Sequence, residues 1–145
     1  MEGWHLEDLT TQFKGKITEM QVALALLQKG YMVSQPLVDA RYDFLLEANG
    51  KFYRIQVKTC HLVDDESGIQ FNTSNSHTNT QGTTNRNYKG EADLFATFYN
   101  GDCYLIPVEE CGSRNKKLRI LPVKNGRKAG ISFLEDYTVE KILSE

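Results

Sequence analysis

The sequence predicts a single α+β domain, in which one long helix precedes a mixed β-sheet of four or five strands. Three observations predict it. Apolar residues recur at helical spacing over residues 13–31, runs of alternating residues follow, and Asn-Gly pairs separate several of those runs. The chain has 145 residues, the size of one domain, so we expect the domain to span residues 1–145.

Composition excludes several classes of protein. Hydrophobic residues make up 40% of the chain and charged residues 25%, the balance of a globular rather than a disordered protein. No apolar run reaches the roughly 20 residues that span a bilayer, and the first residues lack the pattern of a signal peptide. We therefore expect a cytoplasmic protein, nucleoid-associated in a prokaryote. The three cysteines form no CxxC pair, which argues against a disulfide framework and against a zinc ribbon.

Charge is unevenly distributed, although the net charge is only −2. Residues 67–90 and 111–134 contain no acidic residue, whereas basic residues occur in both stretches. A solvated face is the simpler interpretation of each stretch taken alone. A surface that faces nucleic-acid phosphates is the other interpretation, since it needs basic residues without neighbouring acids.

The long helix is predicted by an apolar stripe, which we expect to be buried and whose members recur every three or four residues: Phe13, Ile17, Met20, Leu24, Leu27 and Tyr31. Val22, Ala23 and Leu26 widen the apolar arc, so much of the helix should be buried. Gly30 is suited to end the helix. A short second helix is predicted within residues 135–145.

Asn-Gly pairs predict the hairpins of the sheet. Asn49-Gly50 separates residues 42–48 from residues 51–63, and the same pair recurs at positions 100–101 and 125–126. The runs beside the later two pairs cover residues 94–99, 103–108 and 118–123. The polar residues 72–87 predict a long loop, and a short helix is expected to begin near Tyr88 or Glu91.

A two-residue turn at Asn49-Gly50 sets a register that gathers polar groups on one face. Counting outward from the turn places Asp43 opposite Gln56, and alternation puts Lys58 on the same face as Gln56. A carboxylate, an amide oxygen and nearby backbone carbonyls are hard oxygen ligands that suit Mg²⁺. An adjacent ammonium can orient the attacking water or offset developing charge on a phosphorane. These parts suffice for phosphodiester hydrolysis. The alternative is an ion pair on a solvated hairpin face.

Glu19 is a further candidate because it lies on the apolar-rich helix, on the side of Ala23 and Leu26. A carboxylate that is partly buried in this way needs a partner or a metal. The alternative is an acidic residue near the helix start that interacts with the helix dipole.

Several ordered segments resemble the PD-(D/E)xK nuclease superfamily, and most closely the group I intron-encoded homing endonucleases of that fold. They are Lys14-Gly15-x-x-x-Glu19, Tyr42-Asp43, Gln56-Val57-Lys58-Thr59, residues 88–96, residues 104–107, and parts of residues 118–137. The resemblance implies an α/β/α restriction-endonuclease-like fold, with Mg²⁺ as cofactor and Mn²⁺ as its substitute. It also implies sequence-specific hydrolysis of double-stranded DNA.

The resemblance assigns roles by position. Asp43 matches the metal-binding aspartate, Lys58 the lysine, and Glu19 the helix glutamate of a subset, which holds the metal directly or through water. Gln56 stands where most of the superfamily has Glu or Asp, so it removes one negative charge and should weaken Mg²⁺ binding. The carbonyl of Val57 would be a third protein ligand.

The resemblance also places DNA beside the loop that follows residue 71. Candidate DNA contacts are Thr73, Ser74 and Asn75 at bases or phosphates, Arg86 and Lys89 at phosphates, Arg114, Lys116 and Lys117 as weaker contacts, and Lys14 and Lys16 at the helix start. Cutting both strands needs two sites, so we expect a homodimer or a homotetramer. The alternatives are a structure-selective nuclease similar to a Holliday junction resolvase, a DNA-binding module without catalysis, and a protein-interaction domain.

Overall fold

The computed structural model describes residues 9–79, 82–123, 126 and 129–144, with the backbone alone at residues 75–79 and 82–86. The helices are α1 (Thr11–Gln28) and α2 (Val139–Leu143), with 3₁₀ turns at Val108–Glu110 and Leu134–Tyr137. The strands are β1 (Met32–Ser34), β2 (Phe44–Ala48), β3 (Lys51–Val57), β4 (His61–Leu62), β5 (Gly68–Asn72), β6 (Ser74–Asn79), β7 (Gly82–Asn87), β8 (Leu94–Tyr99), β9 (Asp102–Pro107) and β10 (Asn115–Arg119). Among these described residues, no helix is long and apolar enough to cross a membrane.

The central sheet has five strands in the order β1-β2-β3-β8-β9. Its neighbours are antiparallel except for β3 and β8, which are parallel, so the sheet is mixed. Helices α1 and α2 pack on one face, where Val22 and Leu26 meet Phe44 and Leu46. A second sheet in the order β10-β5-β4 packs on the other face of β8 and β9. The predicted α+β fold, with an N-terminal helix on a mixed sheet, is confirmed.

Helix α1 begins and ends where the sequence predicts. The Thr10 hydroxyl accepts a hydrogen bond from the backbone N–H of Phe13, at 3.4 Å. Gly30 follows the last turn with a φ of +90°, a conformation that residues other than glycine rarely adopt.

The buried face of α1 is not the predicted one. Thr18, Val22 and Leu26 face the sheet and are buried. Four members of the predicted stripe are on the opposite side and largely exposed: Phe13 at 62%, Met20 at 51%, Leu24 at 56% and Leu27 at 53%. The prediction was wrong because α1 carries apolar residues on two faces, and periodicity alone does not say which face meets the sheet.

The register predicted for the first hairpin is confirmed. Asn49 and Gly50 have φ values of 54° and 76°, the conformation of a type I′ turn. Ala48 pairs with Lys51, and the pairing continues outward to Phe44 opposite Ile55. The hairpin at residues 100–101 is formed in the same way between β8 and β9. Asn125 of the third pair lies outside the described residues.

Four predicted segments differ from the structure. Most of the predicted loop 72–87 consists of the paired strands Ser74–Asn79 and Gly82–Asn87, because backbone pairing requires no apolar side chains. The predicted run 51–63 is interrupted after β3, and β10 covers residues 115–119 rather than 118–123. Residues 88–91 form a turn, in which Glu91 N–H donates to the carbonyl of Tyr88, instead of starting a helix. The C-terminal helix is confirmed as α2.

Candidate active site

Asp43 lies at the end of the β2–β3 hairpin that is farthest from the Asn49-Gly50 turn, where β2 begins and β3 ends. It directly precedes β2, and its backbone N–H donates to the carbonyl of Ile55 at 2.8 Å. Its side-chain Oδ2 accepts a hydrogen bond from the backbone N–H of Val57, also at 2.8 Å. The confirmed register therefore places this carboxylate beside the last residues of β3.

Helix α1 brings Glu19 to the same place. The hydroxyls of Thr18 and Thr59 are 2.9 Å apart and connect the helix to the segment that follows β3. The carboxyl groups of Glu19 and Asp43 are in hydrogen-bond contact. Lys16 Nζ lies 3.1 Å from Glu19 Oε2, on the solvent side. Two acidic groups from distant parts of the chain thus share one partly buried position.

Burial raises the pKa of Asp43 from 3.8 to about 6. Desolvation of the carboxylate is the largest cause, and the neighbouring negative charge of Glu19 raises the pKa further. The Val57 N–H and the charge of Lys16 act in the opposite direction. Two neighbouring carboxylates of which one is desolvated form an environment that a divalent cation stabilises.

The Gln56 amide and the Val57 carbonyl are the neutral polar groups at this end of β3. The Gln56 amide Nε2 lies 3.5 Å from the Val57 carbonyl oxygen, so the two groups are neighbours. In a strand the N–H and C=O of one residue point to the same side, and the Val57 N–H points to Asp43. The Val57 carbonyl therefore faces the Asp43 side of β3.

The residues present fit a divalent cation with oxygen ligands. Asp43 and Glu19 supply carboxylates and Val57 supplies a backbone carbonyl oxygen, to which the neighbouring Gln56 amide donates through Nε2. Among the described residues, no group of three His, Cys, Asp or Glu side chains could hold a metal. A metal here would therefore depend on two carboxylates and on neutral oxygens, a donor set that Mg²⁺ accepts with several waters retained.

Lys58 directly follows β3, and its ammonium contacts the base of the β6–β7 hairpin. Its Nζ donates to the Ser74 carbonyl at 3.3 Å and to the Tyr88 hydroxyl at 3.4 Å. Burial lowers the pKa of Lys58 from 10.5 to about 8, and the negative charge of Asp43 partly offsets this effect. The hydrogen-bond partners of Lys58 Nζ among the described residues are thus two neutral oxygens, and the charge of Asp43 acts on Lys58 without a hydrogen bond between them.

Comparison with known proteins identifies the family. The profile of the PD-(D/E)XK endonuclease family matches residues 9–140. This chain belongs to the PD-(D/E)XK endonuclease family. It is 30% identical to Protein 5.3 of Escherichia phage T7 over 117 residues, which cover 73% of this chain and 94% of the phage protein. Its fold is similar to that of the bacterial homing endonuclease I-Ssp6803I, with a TM-score of 0.70, 20% identity, and coverage of 83% of this chain and 86% of the other.

Membership of the PD-(D/E)XK family implies nuclease activity on DNA. Enzymes of this family typically use a divalent metal, which agrees with the oxygen-rich donor set around Asp43. The family match covers both α1, with Glu19, and the β2–β3 hairpin.

Sequence reasoning missed Arg41 as a residue near this PD-(D/E)XK site. Its guanidinium lies 4.3 Å from the centroid of the Tyr88 ring, and it forms an ion pair with Glu91 at 2.8 Å. Arg41 and Tyr88 are 47 positions apart, and neither belongs to a pattern with a known period. The adjacent Tyr42-Asp43 pair was the only signal at this position.

Two predicted DNA contacts are corrected. The side chain of Thr73 is buried and donates a hydrogen bond to the Gly112 carbonyl at 2.7 Å. Ser74 is also buried, and its hydroxyl donates to Asn72 Oδ1 at 3.1 Å. Both side chains hold the base of the hairpin together and do not face solvent. The side chains of Asn75 and Arg86 lie outside the described part of the structure.

The remaining candidate DNA contacts are near the surface. Lys16, Lys89, Arg114 and Lys117 are exposed, whereas Lys14 and Lys116 are partly buried. Arg114 lies at the hairpin base, because its carbonyl accepts a hydrogen bond from the backbone N–H of Thr73. Lys116 donates to the Ser132 hydroxyl at 3.0 Å.

A cavity of about 590 Å³ lies elsewhere, between β9, β10 and the second 3₁₀ turn. Tyr104, Arg119, Ile120 and Phe133 are among its lining residues, and it contains none of the polar residues gathered around Asp43. The polar residues gathered around Asp43 thus lie outside this cavity.

Proposed function

We propose that this protein is a single-domain, Mg²⁺-dependent endonuclease that cuts both strands of specific double-stranded DNA, in the manner of a homing endonuclease. The observation that carries the proposal is the convergence of Asp43, Glu19, Gln56 and the Val57 carbonyl at one end of β3, with Lys58 beside them. The similarity to a bacterial homing endonuclease supports the homing role.

Each residue has a chemical role in this proposal. Asp43, Gln56 and the Val57 carbonyl would hold the cation, and Glu19 would hold it directly or through water. When bound, Mg²⁺ supplies Lewis-acid polarisation of the phosphodiester and a lower pKa for water. The Lys58 ammonium donates hydrogen bonds to the scissile phosphate and stabilises the charge that develops on it. Glu19, with Lys16 beside it, orients the attacking water.

The DNA-binding surface is proposed to run from the start of α1 to the base of the β6–β7 hairpin. Lys14 and Lys16 lie at the α1 end, and Lys89 and Arg114 lie at the hairpin base. Residues 67–90 contain no acid that would repel phosphate. Within the hairpin, Asn75 and Arg86 are directly paired positions, and we retain both as candidate DNA contacts, with Lys116 and Lys117 as weaker ones.

A second copy of the chain is proposed to pack on the exposed face of α1. Phe13, Met20, Leu24 and Leu27 form an apolar stripe with the three- and four-residue spacing typical of a helix–helix seam. A homodimer, or a tetramer built from it, provides one site for each DNA strand.

One observation favours a second candidate function, a DNA-binding module without catalysis. Gln56 carries no charge, so the site holds one carboxylate fewer than most of the superfamily provides. The four-way junction that a resolvase would cut is a further substrate to examine, because the same site chemistry would serve it.

To test the proposal, the protein is incubated with plasmid DNA, genomic DNA or four-way junctions. Each substrate is examined in the presence of Mg²⁺, of Mn²⁺ or of EDTA. We expect discrete double-strand ends that require metal. Asp43→Ala and Lys58→Ala should abolish cleavage, while Glu47→Ala and Lys51→Ala, exposed residues of the same hairpin, should not. Cleavage by Asp43→Ala at the wild-type rate contradicts the proposed site. Salt-sensitive DNA binding without any cleavage supports the inactive module, and cleavage confined to junctions supports the resolvase.

A further inference from the structure

The ring of Tyr88 contacts two cations. The Lys58 Nζ is 4.7 Å from the ring centroid, and the Arg41 guanidinium carbon is 4.3 Å from it. The Tyr88 hydroxyl also accepts a hydrogen bond from Lys58 Nζ at 3.4 Å. Both the face and the hydroxyl of this ring are electron-rich, so the contacts favour a fixed position for the Lys58 ammonium.

The Tyr88 ring is itself held in place. Tyr88 is only 3% exposed, and it packs edge-on against Phe95 of the central sheet with the ring centroids 5.6 Å apart. Because Phe95 is 1% exposed, Tyr88 rests on one of the most buried side chains of the fold. The position of the ring is therefore set by the core, and the flexible lysine side chain follows it.

The same two cations hold both ends of the β6–β7 hairpin. Lys58 contacts the carbonyl of Ser74, the first residue of β6. Arg41 donates to the carbonyl of Asn87, the last residue of β7, at 3.1 Å, and it forms an ion pair with Glu91 just beyond Tyr88. The hairpin base and the Lys58 ammonium thus belong to one connected set of contacts.

We propose that Tyr88 is a positioning residue for Lys58, and that Arg41 keeps Tyr88 and the hairpin base in the arrangement that catalysis requires. The inference rests on the proposed nuclease function and deepens it. The β6–β7 hairpin is the segment proposed to contact DNA. The position of its base and the position of the Lys58 ammonium therefore depend on the same contacts. Tyr88 and Arg41 touch no reacting atom and act through Lys58.

The test compares Tyr88→Leu, Tyr88→Phe and a matched control, Phe71→Leu. Phe71 also packs edge-on against Phe95 with centroids 5.6 Å apart, and it is fully buried, but it makes no described contact with Lys58. The Phe71 variant therefore reports the effect of losing a buried aromatic ring from the same cluster. For each variant we would measure the melting temperature, the dissociation constant for DNA and the cleavage rate on saturating DNA with Mg²⁺.

We expect Tyr88→Leu to lower the saturated cleavage rate about ten-fold or more, as loss of a desolvated cation–π contact implies. Its DNA affinity should stay within about three-fold of wild type, because Lys58 is one phosphate contact among several and Arg41 still donates to the Asn87 carbonyl at the hairpin base. Tyr88→Phe retains the ring and should recover most of the rate. A Tyr88→Leu rate no lower than that of Phe71→Leu, or a loss expressed only as weaker DNA binding, overturns the proposal.

A measurement that does not depend on cleavage distinguishes a failure of this inference from a failure of the proposed nuclease function. In protein labelled with ¹³C-lysine, the ε-methylene protons of Lys58 should resonate upfield of those of the other lysines, because the Nζ bonded to that carbon lies over the Tyr88 ring, 4.7 Å from its centroid. The signal is assigned by its loss in Lys58→Arg, and it should persist in Tyr88→Phe and disappear in Tyr88→Leu. Absence of an upfield signal overturns the inference, whereas absence of cleavage by wild type alone counts against the proposed function.

Discussion

The carboxylate of Asp43 accepts a hydrogen bond from the backbone N–H of Val57, and this bond joins the start of β2 to the end of β3. The last paired residues of the two strands are Phe44 and Ile55, and this side-chain hydrogen bond lies just beyond them. The same register that buries Phe44 and Ile55 thus aims the carboxylate at the Val57 peptide. A slip of one residue would turn the carboxylate to the other face of the sheet.

Asp43→Asn should stabilise the metal-free protein at neutral pH. The pKa of Asp43 is about 6 in the folded protein, against 3.8 for an unperturbed aspartate, so the charged form disfavours folding above that range. The gain should be about 1–2 kcal/mol at pH 7, after allowance for solvent screening of this partly exposed group. Chemical denaturation in EDTA measures it. Glu47→Gln, an exposed neighbour on β2, should change the free energy of unfolding very little.

The same pKa predicts how stability depends on pH. Between pH 4 and 6 the folded protein binds more protons at Asp43 than the unfolded chain does, so this group makes stability fall as pH rises. The difference in free energy of unfolding between Asp43→Asn and wild type should therefore shrink as pH falls from 7 to 4. A difference that stays constant over that range would show that burial does not perturb Asp43.

Gln56→Glu should tighten metal binding. A third carboxylate beside Asp43 and Glu19 attracts Mg²⁺ more strongly, and the Mg²⁺ concentration for half-maximal cleavage should fall about ten-fold. Without metal, the added repulsion should lower the melting temperature by a few degrees. Titration of cleavage against Mg²⁺ and melting curves in EDTA measure the two effects. An unchanged Mg²⁺ requirement would remove Gln56 from the proposed ligand set.

Cleavage should slow as pH rises through about 8. The pKa of Lys58 is lowered to about 8, so the ammonium that donates to phosphate is progressively lost above that value. Lys58→Arg keeps its charge and should show no decline up to pH 9.5, although at a lower rate because its geometry differs. Single-turnover rates at saturating DNA and Mg²⁺ test this. A rate that instead rises to a plateau above pH 8 would make Lys58 a general base.

Leu24→Glu should dissociate the proposed dimer. Leu24 is 56% exposed in the single chain, and a carboxylate in the middle of an apolar seam leaves a buried charge without a partner. The dimer dissociation constant should rise about 100-fold or more. Light scattering after size exclusion measures the mass. Leu62→Glu, at a leucine that is 44% exposed on β4, is the control and should leave the mass unchanged. A wild type that stays monomeric at high concentration contradicts the seam.

The part of the site carried by the β2–β3 hairpin was predictable from sequence. Asn49-Gly50 adopts two positive φ values at little energetic cost, so the turn sets the register, and the register brings Asp43 to the end of β3. The approach of Glu19 was predicted only as a partly buried carboxylate. That Glu19 meets Asp43 depends on how α1 packs against the sheet. The family resemblance implied this packing, whereas local sequence rules do not predict it.

Other features were not predictable because they depend on competition between surfaces. Helix α1 has two apolar faces, and the choice of Val22 and Leu26 over Leu24 and Leu27 as the buried side depends on the sheet beneath. The β6–β7 hairpin has no apolar alternation, so only its backbone pairing identifies its strands. Contacts between residues far apart in sequence, such as Tyr88 with Lys58, require the packed core.

Crystals soaked in Mn²⁺, with an anomalous difference map, test the central claim most directly. The account predicts a peak about 2 Å from oxygens of Asp43, Gln56 and the Val57 carbonyl, with Glu19 bound directly or through water, and no such peak in Asp43→Asn. A map without a peak between these groups at saturating Mn²⁺, or a metal bound elsewhere in a protein that still cleaves DNA, would contradict it.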